Sequence, residues 1–334
     1  MESMMPVLAA AQPAKKDLAV SEFAPSTIVR ELKVAAAFLL PAFLALLTLM
    51  YGNEWLGRIF HSTITLQSPG VYVFQLGGAS LKWYGLFILI GFFVASFAFT
   101  RSARWWGLTA DDALGFALWA LVCGGIGARL YYVAICFPHF AQHPERILST
   151  WLGGLTIHGC MLGTIFAAWV YGKFKGKSFF SLGDMIVTSL PLAQGIWRLG
   201  NFFNSEAYGM PLSQEALVKL FVAPPYRPVY FAQNSYFHPA FLYELLWDLL
   251  LFAVFYFVLA KKLRTFPGVL SAVFILSYSA GRLVIEWLRV DGIAYSGIVV
   301  PIVVTESCLL FGTALLLLLI KRYAKPISTD GATT

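Results

Sequence analysis

The sequence predicts an all-α, polytopic membrane helix bundle, and three observations predict it. Of 334 residues, 59% are hydrophobic and 12% charged, about half the charged share of a soluble domain. Eight apolar runs approach the roughly 20 residues that a bilayer core demands of a helix. Lys and Arg are shared unevenly between the connecting segments. No alternating ten-residue pattern recurs, which argues against a membrane β-barrel.

The elements follow in chain order. Residues 1–33 read as a loose cytoplasmic tail. The apolar run that starts at Val34 is too long for a signal-peptide core, and no small-residue cleavage site follows it, so 34–51 is predicted as an uncleaved first span. Residues 52–83 form an external segment. Within it Val71-Tyr72-Val73-Phe74-Gln75-Leu76 alternates and then meets Gly77-Gly78, which predicts a short strand or hairpin against the membrane surface. A membrane domain over 84–325 holds spans at 84–100, 113–137, 152–171, 185–203, 239–260, 267–289 and 298–320. The longest external loop, 204–238, carries Pro211, Pro224, Pro225 and Pro228. Such a loop is either a substrate arm or a plain connector. Residues 326–334 are a second tail.

Charge orients the bundle. With the N-terminus in the cytoplasm, cytoplasmic segments hold Lys15, Lys16, Arg30, Lys33, Arg101, Arg104, Lys173, Lys175, Lys177, Lys261, Lys262, Arg264, Lys321, Arg322 and Lys325. External segments hold only Arg58, Lys82, Arg146, Lys219 and Arg227. This is the positive-inside pattern, and it favours an even number of spans. Reporter fusions after Lys33 and after Lys325 are therefore both expected to read cytoplasm. A periplasmic signal from the second alone overturns the eight-span topology. The net charge of +7 reports this topology and makes no case for nucleic acid.

Cys123, Cys136, Cys160 and Cys308 form no C-x-x-C pair and read as buried free thiols. His139 and His143 are four apart, but Pro138 and Pro144 argue against a regular helix there. No metal site is expected.

The polar residues at the outer ends of the spans carry the chemistry. Arg198 opens the run Arg198-Leu199-Gly200-Asn201-Phe202-Phe203-Asn204-Ser205-Glu206-Ala207-Tyr208-Gly209. Arg282, Glu286 and Arg289 are spaced i, i+4 and i+7, on one helical face that Tyr278 extends. Tyr84 opens the second span, His158 lies in the fourth, and Glu244 and Asp248 sit four apart in the sixth. A buried Arg needs a counter-charge, and Glu286 or Glu206 is the expected partner. The alternatives are a hydrated helix end, a structural ion-pair ladder and a packed histidine. Arginine grips phosphate through a planar fork, and phospholipid head groups carry phosphate at this depth. The residues thus describe a membrane-embedded site for an anionic lipid.

The same residues resemble a known family, the bacterial prolipoprotein diacylglyceryl transferases. The run from Arg198 to Gly209 looks like that family's signature. Trp83-Tyr84-Gly85, Gly127-Ala128-Arg129, Gly153-Gly154-Leu155-Thr156-Ile157-His158-Gly159 and His238-Pro239-Ala240-Phe241-Leu242-Tyr243-Glu244 resemble its other motifs, in order. Tyr278, Arg282, Glu286 and Arg289 match its penultimate helix. The resemblance runs from about Val71 to Lys325, which leaves 34–51 as an added span beside the family's usual seven.

It implies transfer of the diacylglyceryl group of phosphatidylglycerol to the lipobox cysteine of a prolipoprotein signal peptide. A thioether forms and glycerol phosphate leaves. It implies no cofactor, membrane lipids and prolipoproteins as partners, and a bacterial inner membrane with the active site toward the outer leaflet. Arg198 and Arg282 are implied to hold the phosphate, and His158 is the family-matched base. Tyr84, Asn201, Glu206, Gly209, Tyr278, Glu286 and Arg289 are implied to bind the lipid. The alternative is an inactive paralogue that binds or transports anionic phospholipid. Two departures from the family pattern bear on fit rather than reaction class: Trp197 stands where the family has Gly before the signature Arg, and Cys160 where it has Gly after His158-Gly159.

Overall fold

The computed structural model describes residues 25–324 except 77–78, 151–152, 291–293 and 296–297. Helices α1 (Pro25–Tyr51) and α2 (Asn53–Phe60) lead into strands β1 (Ile64–Gln67), β2 (Tyr72–Leu76) and β3 (Ala79–Lys82). Helices α3 (Trp83–Ser102), α4 (Ala110–Ile135), α5 (Phe137–Gln142), α6 (Ile157–Lys175), α7 (Phe179–Val187) and α8 (Leu190–Asn204) follow. Strands β4 (Val218–Phe221) and β5 (Tyr236–Phe237) precede α9 (Ala240–Ala253), which passes through a π-helical turn, Val254–Leu259, into α10 (Ala260–Leu263). Helix α11 (Val269–Leu288), strands β6 (Ala294–Tyr295) and β7 (Ile298–Val299), and α12 (Val300–Ala324) complete the chain. Residues 1–24, 325–334 and Gly77-Gly78 lie outside the described residues.

The long helices turn large apolar side chains outward, among them Phe93, Phe97, Phe257 and Leu310. In water such a surface aggregates; against lipid it is matched. The chain is a multi-pass membrane protein. Inside, one apolar core joins α1, α9, α11 and α12 around Tyr243, Trp247, Phe255 and Phe266. A second joins α3, α4, α6 and α7 around Phe99, Phe116, Leu182 and Met185.

Among the described residues six helices are long and apolar enough to cross a membrane, seven if the bent α7–α8 pair counts as one span. The expected count of eight is therefore not confirmed. The helix that falls short is α6, whose apolar run is cut by His158 at one end and Lys173 and Lys175 at the other. It is nonetheless packed tightly. A Cβ on Gly159 would lie 2.2 Å from the Gly127 carbonyl of α4, so only glycine lets these backbones touch.

The expected single span over 185–203 is broken. Helices α7 and α8 meet at 45° around Thr188 and Ser189. Pro191 lies in the first turn of α8, where its missing N–H costs nothing and its ring blocks a continuous helix. Thr188 Oγ1 and Ser189 Oγ donate to the carbonyls of Met185 and Ile186 at 2.7 and 3.3 Å. Buried Asp184 accepts from Gly268 N, Ser271 N and Ser271 Oγ, each at 2.7 Å, and so ties α7 to the start of α11.

The segment over 204–238 is more than a connector. Strand β4 pairs in parallel with β1 and antiparallel with β5, which makes a three-stranded sheet. Strands β2 and β3 pair antiparallel, as the expected hairpin requires. Asn53, 1% exposed, binds both backbone groups of Val218 at 2.7 and 2.9 Å and donates to the Tyr243 hydroxyl at 3.2 Å. The N-terminal segment is thus sewn into the polar end of the bundle.

Candidate active site

The C-terminus of α8, the N-terminus of α9 and the C-terminus of α11 converge at one end of the bundle. Gly281 permits the closest approach: a Cβ there would overlap the Trp247 indole of α9 at 2.2 Å. Trp247 Nε1 donates to the Ser277 carbonyl at 3.2 Å. That contact sets α11 against α9 with Arg282 facing Glu244.

Glu244 is the centre of the site. It is 3% exposed. One oxygen pairs with Arg198 Nη2 and the other with Arg282 Nη1. Arg289 Nη1 stands 3.4 Å from that second oxygen. Glu286 takes Arg282 Nη2 at 2.5 Å and lies 3.9 Å from Arg289 Nη1. Asp248, 1% exposed, lies 3.9 Å from Arg198 Nε. The three arginine side chains keep 11%, 16% and 14% of their surface for Arg198, Arg282 and Arg289, so each is largely buried but retains an exposed edge. Isolated arginines at this depth would repel one another; a shared carboxylate holds them together.

Glu206 does something else. Asn201 Nδ2 and Asn204 Nδ2 both donate to its Oε1, at 2.7 and 3.2 Å. Ser205 and Ala207 on either side have φ of 54° and 57°. These left-handed conformations cost about 1–3 kcal/mol each and turn Glu206 back over the end of α8. Tyr84 packs on Gly200 of α8 and lies in the electrostatic neighbourhood of Glu206 and Arg198. Tyr278 stacks on Phe274, with ring centres 5.7 Å apart, and neighbours Arg198 and Asp248.

Gly209 acts through its backbone. Its N–H donates to the His238 carbonyl at 2.8 Å, it bridges to Arg289, and Met210 N donates to the Leu288 carbonyl at 2.8 Å. A Cβ there would meet the Leu288 carbonyl and the His238 side chain at 2.9 Å. Gly209 thus presses the sheet region against the end of α11 and sets the height of Arg289. His238 Nδ1 lies 3.1 Å from the Tyr243 hydroxyl. Burial lowers its pKa to about 4, so the ring is neutral at pH 7.

His158 stands apart from the ion cluster. It is exposed in the first turn of α6, with its ring 6.0 Å from that of Tyr131 on α4. Thr156 caps that turn by accepting from Gly159 N at 3.3 Å. Arg129 of α4 lies on the same side. The guanidinium donates to the carbonyls of Arg146, Ile147, Gly153 and Gly154 at 2.6–2.9 Å. Its donors are taken up by these backbone carbonyls.

The structure therefore joins Arg198, Arg282, Glu286, Arg289 and Tyr278 on one centre, sets Asn201 and Glu206 beside it, and leaves His158 on the α4–α6 side. Of the two partners expected for the arginines, Glu286 serves and Glu206 does not. The main partner, Glu244, shows in the sequence as an i, i+4 acidic pair with Asp248 at the head of an apolar helix and as the last residue of the family-like run from His238. Cys160 Sγ lies against Gly124, where a Cβ would be 3.1 Å away, while the closest helix approach is at Gly159.

Trp197 is half-buried, with Arg198 Cζ 5.7 Å from its ring centre. A cation–π contact of this kind is worth about 0.5–2 kcal/mol. Trp197→Gly is expected to change the apparent affinity for the lipid or the acceptor in protein that remains folded. An unchanged affinity with a lower melting temperature would assign Trp197 to anchoring alone.

Comparison with known proteins agrees with this geometry. The phosphatidylglycerol–prolipoprotein diacylglyceryl transferase of Thermotoga maritima is 36% identical over 283 residues, covering 84% of this chain and 94% of the relative. That of Trichormus variabilis is 40% identical over 256 residues, 74% of this chain and 88% of the relative. That of Synechocystis is 36% identical over 252 residues, 74% and 88%. Residues 71–319, which hold every polar side chain of the site, match the prolipoprotein diacylglyceryl transferase family, and the chain belongs to it.

Proposed function

We propose that this protein transfers the diacylglyceryl group of phosphatidylglycerol to the lipobox cysteine of prolipoproteins, the first step of bacterial lipoprotein maturation. The observation that carries the reading is the convergence of Arg198, Arg282 and Arg289 on Glu244 at one end of an apolar bundle. A guanidinium has five N–H donors. The carboxylate contacts of Arg198 and Arg282 leave donors over. Those donors suit the phosphate of a lipid whose acyl chains lie along the outside of the bundle.

In the reaction, the cysteine sulfur bonds to the glyceryl carbon of the donor. The bond from that carbon to the phosphate oxygen breaks, and glycerol phosphate departs with the electron pair. Arginine donors stabilise the charge that grows on the leaving oxygen. The thiol proton goes to a base. His158 is the proposed base: Tyr84 at the start of α3 packs on Gly200 near the end of α8, and the alternation of α3, α4 and α6 brings the start of α6 to that same end.

Basic side chains cluster at the opposite end, where Lys262 pairs with Glu31 at 3.0 Å and Lys175 with Asp112 at 2.6 Å. This supports a cytoplasmic basic end, an outer-leaflet site and residence in the bacterial inner membrane. The decisive assay supplies labelled phosphatidylglycerol and a lipobox peptide to the purified protein and scores a thioether-linked product. Binding of the lipid with no product would instead favour a non-catalytic lipid binder.

A further inference from the structure

Two tiers of polar side chains cross the interior between α8, α9 and α11. The outer tier is Arg198, Glu244 and Arg282. One helical turn deeper lies a second tier: Gln194, four residues before Arg198; Asp248, four after Glu244; and Tyr278, four before Arg282. Helices α8 and α11 run toward the site and α9 runs away from it, so all three offsets lead inward.

The inner tier is short of donors. Gln194 is 9% exposed and Asp248 1%. Among the described residues, Gln194 Oε1 and Asp248 Oδ2 have no hydrogen-bond partner, and Arg198 Nε, 3.9 Å from Asp248 Oδ2, has no acceptor. Buried polar atoms are almost always paired, so this set calls for a group that both donates and accepts. A phosphate only accepts and leaves Gln194 Oε1 and Asp248 Oδ2 without a donor. An ammonium only donates and gives Arg198 Nε nothing. A hydroxyl does both, and a 3.9 Å gap admits an oxygen about 2.8 Å from each side.

We propose that Gln194, Asp248 and Tyr278 form a subsite for a hydroxyl-bearing head group, the glycerol of phosphatidylglycerol, whose phosphate rests on the arginine tier. The proposal deepens the function proposed above and rests on it. It makes the inner tier the device that selects this lipid over phospholipids whose head groups lack hydroxyls.

The test uses the purified full-length protein, a lipobox peptide, and two donors: phosphatidylglycerol and phosphatidylpropanol, whose head group has no hydroxyl. Loss of one or two such hydrogen bonds lowers kcat/KM by about 10- to 100-fold, which is the expected ratio between the donors for the wild type. Gln194→Leu and Asp248→Leu are each expected to lower use of phosphatidylglycerol by about tenfold and of phosphatidylpropanol by less than about threefold. Equal use of both donors by the wild type overturns the subsite. Equal losses on both donors in the variants also overturn it, and assign the tier to ordered water alone. Should Asp248→Leu fail to fold, Gln194→Leu removes no charge and supplies the same comparison. Transfer from neither donor by the wild type sinks the proposed function itself, and the subsite with it.

Discussion

Glu244→Ala is expected to lose all measurable transfer and about 3–5 kcal/mol of stability, the cost of breaking a buried ion pair by removing one partner. The reason is its place between three arginines. Arg198 and Arg282 each take one of its oxygens, and Arg289 lies 3.4 Å from the second. Without it Arg282 and Arg289 still share Glu286, and among the described residues Arg198 keeps one carboxylate, Asp248 at 3.9 Å. Glu244→Gln keeps the shape and an acceptor but not the charge, so it should fall between the two. Thermal melts in detergent measure the stability term, and the thioether assay measures activity. A Glu244→Ala protein that melts with the wild type would mean that the arginines do not depend on this carboxylate.

Arg282→Lys is expected to insert and fold, yet lower kcat/KM for phosphatidylglycerol by about 10- to 100-fold. Arg282 divides its fork between Glu244 and Glu286, the latter at 2.5 Å. Lysine keeps the charge but presents a single ammonium, which cannot hold two carboxylates and a phosphate in one plane. The magnitude follows from losing a charge-assisted contact of about 1.5–3 kcal/mol in the transition state. Turnover near that of the wild type would reduce the Arg282–Glu286–Arg289 face to a structural ladder.

The one-face spacing of Tyr278, Arg282, Glu286 and Arg289 needs only the helical period, so the amino-acid order alone displays it. The polar run from Arg198 to Gly209 stands out for a related reason: charges at membrane depth are costly and so conspicuous. The pairing of Glu244 with three arginines from two other helices is not legible in the sequence. It depends on how closely α9 approaches α11, which rests on the fit of Trp247 over Gly281. Glu206 departs from its expected pairing because two left-handed residues, invisible in the sequence, fold it onto Asn201 and Asn204. The division of α7 from α8 is signalled by Ser189-Leu190-Pro191, but apolarity alone runs through it.

By itself, then, the sequence determined the class of the protein, the helices and their faces, and the residue types that can grip a phosphate. Those follow from local periodicity and from the cost of polar groups in lipid, which need no knowledge of neighbours. The tertiary structure alone decided which carboxylate holds which arginine and that Gly209 acts through its backbone. It also decided that Asn53, from the segment before the family match, braces Tyr243 beside Glu244. Each of these depends on the distance between helices, which small residues and their packing partners set and which no single stretch of sequence contains.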